Sequence, residues 1–147
     1  MTIGTDTPAA AATKSKLVIE GLGKRYGATT ALEPSALSVA EGEFLTLLGP
    51  SGSGKTTLLQ LICGLVEASE GRVVIDGRDQ SHMPVHQRDI GLVFQHYALF
   101  PHLTALGNVE YGLRVAGVPP TERRAAAMHA LTAVRMTDHV NRYPYQL

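Results

Sequence analysis

The sequence predicts an α/β fold in which short strands and helices surround one glycine-rich loop. Residues 49–57 read Gly-Pro-Ser-Gly-Ser-Gly-Lys-Thr-Thr and fill every fixed position of the pattern G-x-x-x-x-G-K-[ST]. An apolar run at 44–48 predicts a buried strand that enters the loop. The apolar-rich run at 57–63 predicts the helix that leaves it. A strand, a glycine loop and a helix in this order are typical of a phosphate-binding site.

The remaining elements follow from apolar patterns between glycines and prolines. Strands are predicted at 17–19, 36–39, 71–77 and 90–94, with turns at 21–27 and 41–43. Helices are predicted at 108–115 and 121–135. For the second helix, the sequence predicts Thr121 as N-cap and an apolar stripe of Ala127, Met128, Leu131 and Val134.

Composition narrows the classes of function. The chain has 147 residues, within the usual size of one domain, and 13 basic residues balance 13 acidic ones. This neutrality argues against a nucleic-acid partner. The single cysteine, Cys63, forms no internal disulfide, so we expect a buried thiol and a reducing compartment. The absence of a leader pattern or a long apolar run predicts a soluble chain with no secretion signal of its own.

The loop chemistry predicts binding of a nucleoside triphosphate with Mg²⁺. Glycines without a Cβ let the backbone turn its N–H groups inward around a polyphosphate. Lys55 has the reach for the β- and γ-phosphates, and the Thr56 hydroxyl is a hard oxygen ligand for Mg²⁺. The positive end of the following helix dipole favours the same anion. The predicted phosphate-binding residues are Gly49, Pro50, Ser51, Gly52, Ser53, Gly54, Lys55, Thr56 and Thr57.

Four features in order resemble the ATP-binding subunit of ABC transporters. They are Tyr26, the loop, Gln95 after an apolar run, and the closing stretch Arg-Tyr-Pro-Tyr-Gln-Leu at 142–147. The likeness runs from about residue 16 to the last residue, and 93–102 is similar to importer ATPases for polyamines, iron, sulfate or phosphonates. It implies a P-loop NTPase-type nucleotide-binding domain with an antiparallel β subdomain and the start of a helical subdomain, in incomplete form.

The resemblance also implies a domain division and residue roles. By this division, residues 16–95 are a partial nucleotide-binding core, and 96–147 are the exit of the Q-loop and the start of the helical subdomain. Residues 1–15 are expected to be a disordered tail on composition alone, because they are small and polar and show no periodicity. Tyr26 would stack on adenine, and Gln95 would contact Mg²⁺ and position the attacking water. The expected permease interface consists of Tyr97, Leu99, Phe100 and His102, although the apolar members also suit a core.

Some positions depart from the family pattern. Ser53 stands where many importer ATPases have cysteine, a change expected to be harmless because the loop contributes backbone N–H groups. Gly107 stands where glutamate is common and puts the start of the next helix in doubt, because glycine weakens a helix by roughly 1 kcal/mol relative to alanine. Asp76 in Val-Val-Ile-Asp imitates a Walker B strand but is expected to be a turn residue. His82 and His86 are expected to be loop residues, because Pro84 lies between them.

The sequence contains no Walker B Asp-Glu pair, switch histidine or Ser-Gly-Gly-Gln signature. It stops at the leucine with which the signature would begin, so a truncated chain is expected. Such a chain would bind ATP·Mg without hydrolysing it alone, because the catalytic glutamate is not in it.

The resemblance implies an energy-coupling subunit of an importer that hydrolyses ATP. Its partners would be a second ATPase subunit that closes over ATP, the transmembrane permease, and indirectly a solute-binding protein. It would lie in the cytoplasm against the inner face of the membrane. Two alternatives stay open: a non-hydrolysing nucleotide-binding fragment, and a soluble ABC-type ATPase without a transport role. A small GTPase or nucleoside kinase lacks support, because no Asn-Lys-x-Asp motif follows the loop.

Overall fold

The computed structural model describes residues 15–95 and 98–147. The chain divides into two compact units, the first ending at Leu92 and the second beginning at Val93. The tail predicted for 1–15 lies outside the described residues except for Ser15, which begins a strand. Over the described ranges, none of the helices combines the length and apolarity that a bilayer crossing requires.

A four-stranded antiparallel sheet forms the base of the first unit. Its strands are β1 (Ser15–Tyr26), β2 (Thr29–Ala40), β3 (Glu70–Ile75) and β4 (Arg78–Asp79), in the order β2-β1-β3-β4. The central strand β1 pairs Ile19 with Leu37 on one side and with Val73 on the other. The expected antiparallel β subdomain is therefore present.

The turn predicted at 21–27 is wrong for most of its length, because β1 continues through Gly21 and Gly23 to Tyr26 and only Gly27 of this range lies in the turn. The β1–β2 register shifts on either side of Leu22, and Gly21 has a φ of +57°. A β-bulge accommodates such a residue without ending the strand. The turn that reverses the chain consists only of Gly27 and Ala28.

The helix α1 (Lys55–Cys63) follows the glycine-rich loop and confirms the helix predicted there. Leu58 and Leu61, one turn apart on α1, are buried against residues of the sheet. Burial of each such side chain contributes about 1.5–3 kcal/mol. The buried cluster consists of Ile19, Leu22, Leu32, Leu58, Leu61 and Val73. This packing fixes α1, and with it the loop at its N-terminus, on the sheet.

The strands predicted at 44–48 and 90–94 are wrong, since neither segment belongs to the sheet that the described residues form. Phe44 is 92% exposed, Leu48 89% and Val93 96%. A strand requires a neighbour for its backbone N–H and C=O groups, and an apolar pattern alone supplies none. Both segments therefore have strand-like sequence without strand pairing.

The second unit contains two longer helices, α2 (Ala105–Val115) and α3 (Pro120–Ala133). Leu106 of α2 packs with Ala127 and Leu131 of α3, and all three are buried. This pair is consistent with the expected start of a helical subdomain.

Two details of the α3 prediction are wrong. The N-cap is Pro119, and Thr121 lies inside the first turn, because Pro120 already occupies a helical position that suits proline. Val134 is 66% exposed, because α3 ends at Ala133 and the residue leaves the apolar stripe.

The start of α2 is well defined despite Gly107. The helix begins at Ala105, and the hydroxyl of the N-cap Thr104 accepts a hydrogen bond of 3.2 Å from the Gly107 N–H. The Thr104 cap therefore defines the helix start by a bond to the backbone N–H of position 107, which does not depend on the side chain there.

Candidate functional site

The glycine-rich loop lies between residue 49 and the first turn of α1, on an exposed part of the first unit. Gly52 and Gly54 have φ values of +82° and +86°, a region that glycine adopts without a Cβ penalty. A Cβ on Gly54 would lie 2.9 Å from Leu32 Cδ1 and 3.0 Å from the Ala31 carbonyl oxygen. The loop backbone thus turns sharply while lying directly against β2.

The Lys55 ammonium lies across this loop. Its Nζ donates hydrogen bonds to the carbonyl oxygens of Gly49 at 2.8 Å and Pro50 at 2.7 Å. A third bond, of 3.0 Å, goes to the Ser53 hydroxyl oxygen. A positive charge is therefore held beside the loop backbone by three oxygen atoms.

The N-terminus of α1 fits an anion. Its N-cap is Gly54, which brings no capping side chain, and its first turn contains no acidic residue. The first N–H groups of a helix have no intrahelical partner and carry the positive end of the helix dipole. Thr56 is exposed in this first turn, and Thr57 is half-buried. Together with Lys55, these groups suit a polyphosphate and a hydroxyl-bound Mg²⁺.

Tyr26 lies at the end of the β1–β2 hairpin and is 54% exposed. It pairs with Thr29, which precedes Ala31 by two strand residues, or about 7 Å. Since the Ala31 carbonyl oxygen would lie 3.0 Å from a Cβ on Gly54, the hairpin end lies close to the loop. Lys24 Nζ lies 4.8 Å from the centroid of the Tyr26 ring. The first unit therefore brings an exposed aromatic ring near the phosphate loop.

The other predicted site residues belong to the second unit. Gln95 is exposed in a bend, and Tyr97 lies outside the described residues. Phe100 is 38% exposed and packs against Tyr111 at a tilt of 39°, with ring centroids 4.3 Å apart. The His102 ring approaches the Phe100 ring edge-on, with centroids 5.9 Å apart. Together with Leu99, which is 44% exposed, these residues present an apolar and aromatic surface.

Asn108 organises the turn that carries this surface, a role that no pattern in the sequence indicates. Its side-chain oxygen accepts from the Phe100 N–H at 2.8 Å. Its amide nitrogen donates to the carbonyls of Phe100, Leu103 and Thr104 at 3.0–3.2 Å. One side chain thus fixes residues 100–104 against the start of α2.

Asp76 lies in the turn between β3 and β4, as predicted. Its φ is +50°, and its carboxylate pairs with Lys16 at 2.7 Å. His82 and His86 flank Pro84, which is extended and precedes a single 3-10 turn. Cys63 is buried, and burial raises the pKa of its thiol while the nearby charge of Arg88 opposes the shift.

A cavity of about 570 Å³ also lies in the first unit, between the C-terminal end of α1 and the strand β3. Charged residues of both signs line it, among them Glu67, Arg72 and Arg88. None of the residues 49–57 lines this cavity, so the loop is a separate surface feature.

The sequence matches known proteins along most of its length. The profile of the family described as ABC transporter matches residues 32–147. The "Sulfate/thiosulfate import ATP-binding protein CysA" of Synechocystis sp. is 43% identical over 89% of this chain and 37% of its own length. The "Fe(3+) ions import ATP-binding protein FbpC" of Escherichia coli is 43% identical over 91% of this chain and 38% of its own length. The "Spermidine/putrescine import ATP-binding protein PotA" of Pasteurella multocida is 44% identical over 91% of this chain and 37% of its own length.

Solved structures agree with the sequence matches. One, titled "Dimeric structure of a post-hydrolysis state of the ATP-binding cassette MJ0796 bound to ADP and Pi", superposes with a TM-score of 0.78 at 34% identity. The superposed region is 89% of this chain and 62% of the cassette chain. A second dimeric structure of the same cassette gives 0.79 at 35% identity. The chain spans little more than a third of the length of the curated relatives named above. With a matching profile over most of its residues, the chain belongs to the ABC transporter family.

Proposed function

We propose that this chain is the ATP-binding part of an energy-coupling subunit of an ABC-type importer. The observation that carries the proposal is the loop at 49–57, whose glycines turn the backbone at the N-terminus of α1 beside the Lys55 ammonium. The arrangement offers backbone N–H groups and a lysine charge to the phosphates of ATP. Thr56 would supply an oxygen ligand to Mg²⁺, which neutralises phosphate charge when bound.

Two further residues extend this assignment beyond the phosphates. Tyr26 would stack on the adenine, since its exposed ring lies at the hairpin end near Gly54. Gln95 would bind Mg²⁺ and position the water that attacks the γ-phosphate. Its exposure in a bend, with a side-chain carbonyl available, supports this role.

The partners proposed for this subunit follow from the relatives and from the exposed surface of the second unit. A second ATPase subunit would close over ATP, in keeping with the dimeric cassettes to which the chain is similar. The aromatic surface of Leu99, Phe100 and His102 would receive the permease, with Tyr97 as a further member from outside the described residues. The subunit would therefore lie in the cytoplasm at the inner face of the membrane and serve a solute-binding protein only indirectly.

The named relatives differ in the solute that they import. Relatives that are 43–44% identical are named as import proteins for sulfate, for Fe(3+) and for polyamines. An anion, a metal ion and an organic cation share no recognition chemistry. This part of the chain therefore serves a step common to all three.

The first test is binding of a fluorescent ATP analogue with Mg²⁺ to the 147-residue chain. Lys55→Ala should weaken binding by about 10- to 100-fold, the equivalent of the 1.5–3 kcal/mol typical of a charged hydrogen-bonding group. Lys16→Ala is the control, because it also removes one positive charge but lies in an exposed pair with Asp76. Equal affinities for the two variants would contradict the proposed site.

The second test is phosphate release from ATP by the same chain. We propose that these residues bind ATP·Mg and that hydrolysis requires the glutamate and signature that the sequence does not contain. No release above the Lys55→Ala background is expected. Turnover that Lys55→Ala abolishes would show that the chain hydrolyses ATP by itself.

A further inference from the structure

We propose that Arg88 is a positioning residue that ties the C-terminus of α1 to the segment leading to Gln95, and so transmits a change at the phosphate loop to that glutamine. The transmission rests on the function proposed above. The tie itself rests only on contacts within the first unit.

The first half of the tie is the contact with α1. Arg88 Nη1 donates to the carbonyl oxygens of Leu61 at 3.1 Å and Ile62 at 3.0 Å. Both are among the last carbonyls of the helix, which have no partner from a following helical turn. The Leu61 carbonyl also accepts from the N–H of the C-cap Gly64 at 3.1 Å. The last turn of α1 contains no basic residue. The helix dipole favours a cation at the C-terminus, and the Arg88 guanidinium supplies it from outside the helix.

The fit at this position is close. Gly64, the C-cap of α1, has a φ of +76°. A Cβ on Gly64 would lie 2.5 Å from Arg88 Cζ and 2.6 Å from its Nε. The glycine thus serves two needs, since it ends the helix in the left-handed conformation and leaves space for the guanidinium.

The second half of the tie is the segment that contains Arg88. Its Nε donates to the Met83 carbonyl at 2.9 Å, so two different nitrogens of one planar group bridge two parts of the chain. Upstream, Gln80 is buried, and its N–H donates to the Val73 carbonyl of β3 at 2.8 Å. The segment 80–88 is therefore attached to the sheet at one end and to α1 at the other.

Downstream of Arg88 the chain has no regular structure before Gln95. Residues 89–94 form neither helix nor strand, and Gln95 follows Arg88 by seven positions. One end of α1 carries the phosphate loop, and the other end holds Arg88. A shift of this short rigid helix would therefore move the start of the segment that leads to Gln95.

Amide NMR of the 147-residue chain, with and without a saturating non-hydrolysable ATP analogue and Mg²⁺, tests the proposal. In the unmodified chain, nucleotide should shift the amides of 54–58 and of 93–95. Arg88→Met should keep the first set of shifts and lose the second by at least about threefold, while Arg78→Met, which removes a cation from β4, should keep both. Retention of both sets in Arg88→Met would overturn the proposal.

Arg88→Lys separates the tie from simple helix capping and serves if Arg88→Met fails to fold. Lysine keeps a cation for the α1 carbonyls but has one nitrogen in place of the two that bridge. We expect its melting temperature to stay within a few degrees of the unmodified chain and the 93–95 shifts to be lost. Full retention of those shifts would assign Arg88 a capping role only and overturn the proposal.

Failure of the proposed function gives a different result. If nucleotide shifts none of the 54–58 amides of the unmodified chain, the nucleotide site is refuted, and the tie is decided by the ligand-free spectra. Arg88→Lys should then still shift the amides of 61–64 and 93–95 relative to the unmodified chain. Shifts confined to 61–64 would overturn the tie.

Discussion

Lys55 and Ser53 are joined by a hydrogen bond of 3.0 Å between the lysine ammonium and the serine hydroxyl. From the sequence, position 53 is expected to contribute only its backbone N–H group, so that its side chain would be neutral. The structure gives that side chain a partner, which is the charge proposed to bind phosphate. Position 53 therefore affects how readily the lysine is released to a ligand.

Ser53→Ala should tighten ATP binding by about two- to fivefold. The variant removes one of three acceptors that hold Lys55. Because this contact is exposed and water can replace the hydroxyl, we use the lower part of the 0.5–1.5 kcal/mol net range of a hydrogen bond, about 0.5–1 kcal/mol. Titration with a fluorescent ATP analogue measures the change. Ser38→Ala, which changes an exposed serine of β2 outside the loop, is the control and should leave affinity unchanged. Weaker binding by Ser53→Ala would show that the hydroxyl contacts the ligand instead.

Gly54→Ala should lower the free energy of unfolding by about 2–4 kcal/mol and abolish nucleotide binding. The left-handed conformation costs a residue with a Cβ about 1–2 kcal/mol, and the clash with Leu32 and the Ala31 carbonyl adds to it. Gly52→Ala is the control, since its φ is similar but no atom lies within 4 Å of the added Cβ. Gly52→Ala should therefore lower the free energy of unfolding only by the cost of the left-handed conformation, about 1–2 kcal/mol. Urea denaturation of both variants separates the two effects, and equal losses would argue against the contact with β2.

Local signals in the sequence were sufficient for the loop, for α1 and for the existence of α2 and α3. The pattern from Gly49 to Thr57 and the helical periods depend on residues near one another in the chain. Pairing of strands depends on distant residues, so the apolar runs at 44–48 and 90–94 predicted strands for which the described residues supply no neighbour. The continuation of β1 through the bulge at Gly21 was missed for the same reason, because it depends on pairing with β2 and β3.

Contacts of single side chains were also beyond the sequence. Asn108 lies four to eight positions from its partners, and Arg88 lies 26 and 27 positions from the α1 carbonyls it binds. Nothing in an isolated asparagine or arginine announces such a role. Both became recognisable only when the backbone groups around them were placed.

Thr104→Ala should lower the free energy of unfolding by about 1 kcal/mol, within the 0.5–2 kcal/mol typical for loss of an N-cap. The hydroxyl of Thr104 accepts from the Gly107 N–H, which would otherwise have no intrahelical partner. Thr121→Ala is the control, because that threonine lies inside the first turn of α3 and makes no cap. Urea denaturation compares the two. A larger loss of stability for Thr121→Ala than for Thr104→Ala would contradict the assignment of Thr104 as the stabilising cap.

Cys63 should make the folded chain less stable as the pH rises above about 8.5, the ordinary pKa of a thiol. Burial raises the pKa of this thiol in the folded chain, so between the unfolded and folded pKa values the unfolded state has lost its proton while the folded state keeps it. The stability contribution is therefore complete below the unfolded pKa and is lost as the pH rises through the folded one. Urea denaturation between pH 7 and 10 should show a steeper decline for the unmodified chain than for Cys63→Ala, by up to about 1.4 kcal/mol per pH unit, the effect of one proton. Because all other titrating groups are shared by the two chains, parallel curves would mean that the thiol ionises as readily in the folded chain as in the unfolded one.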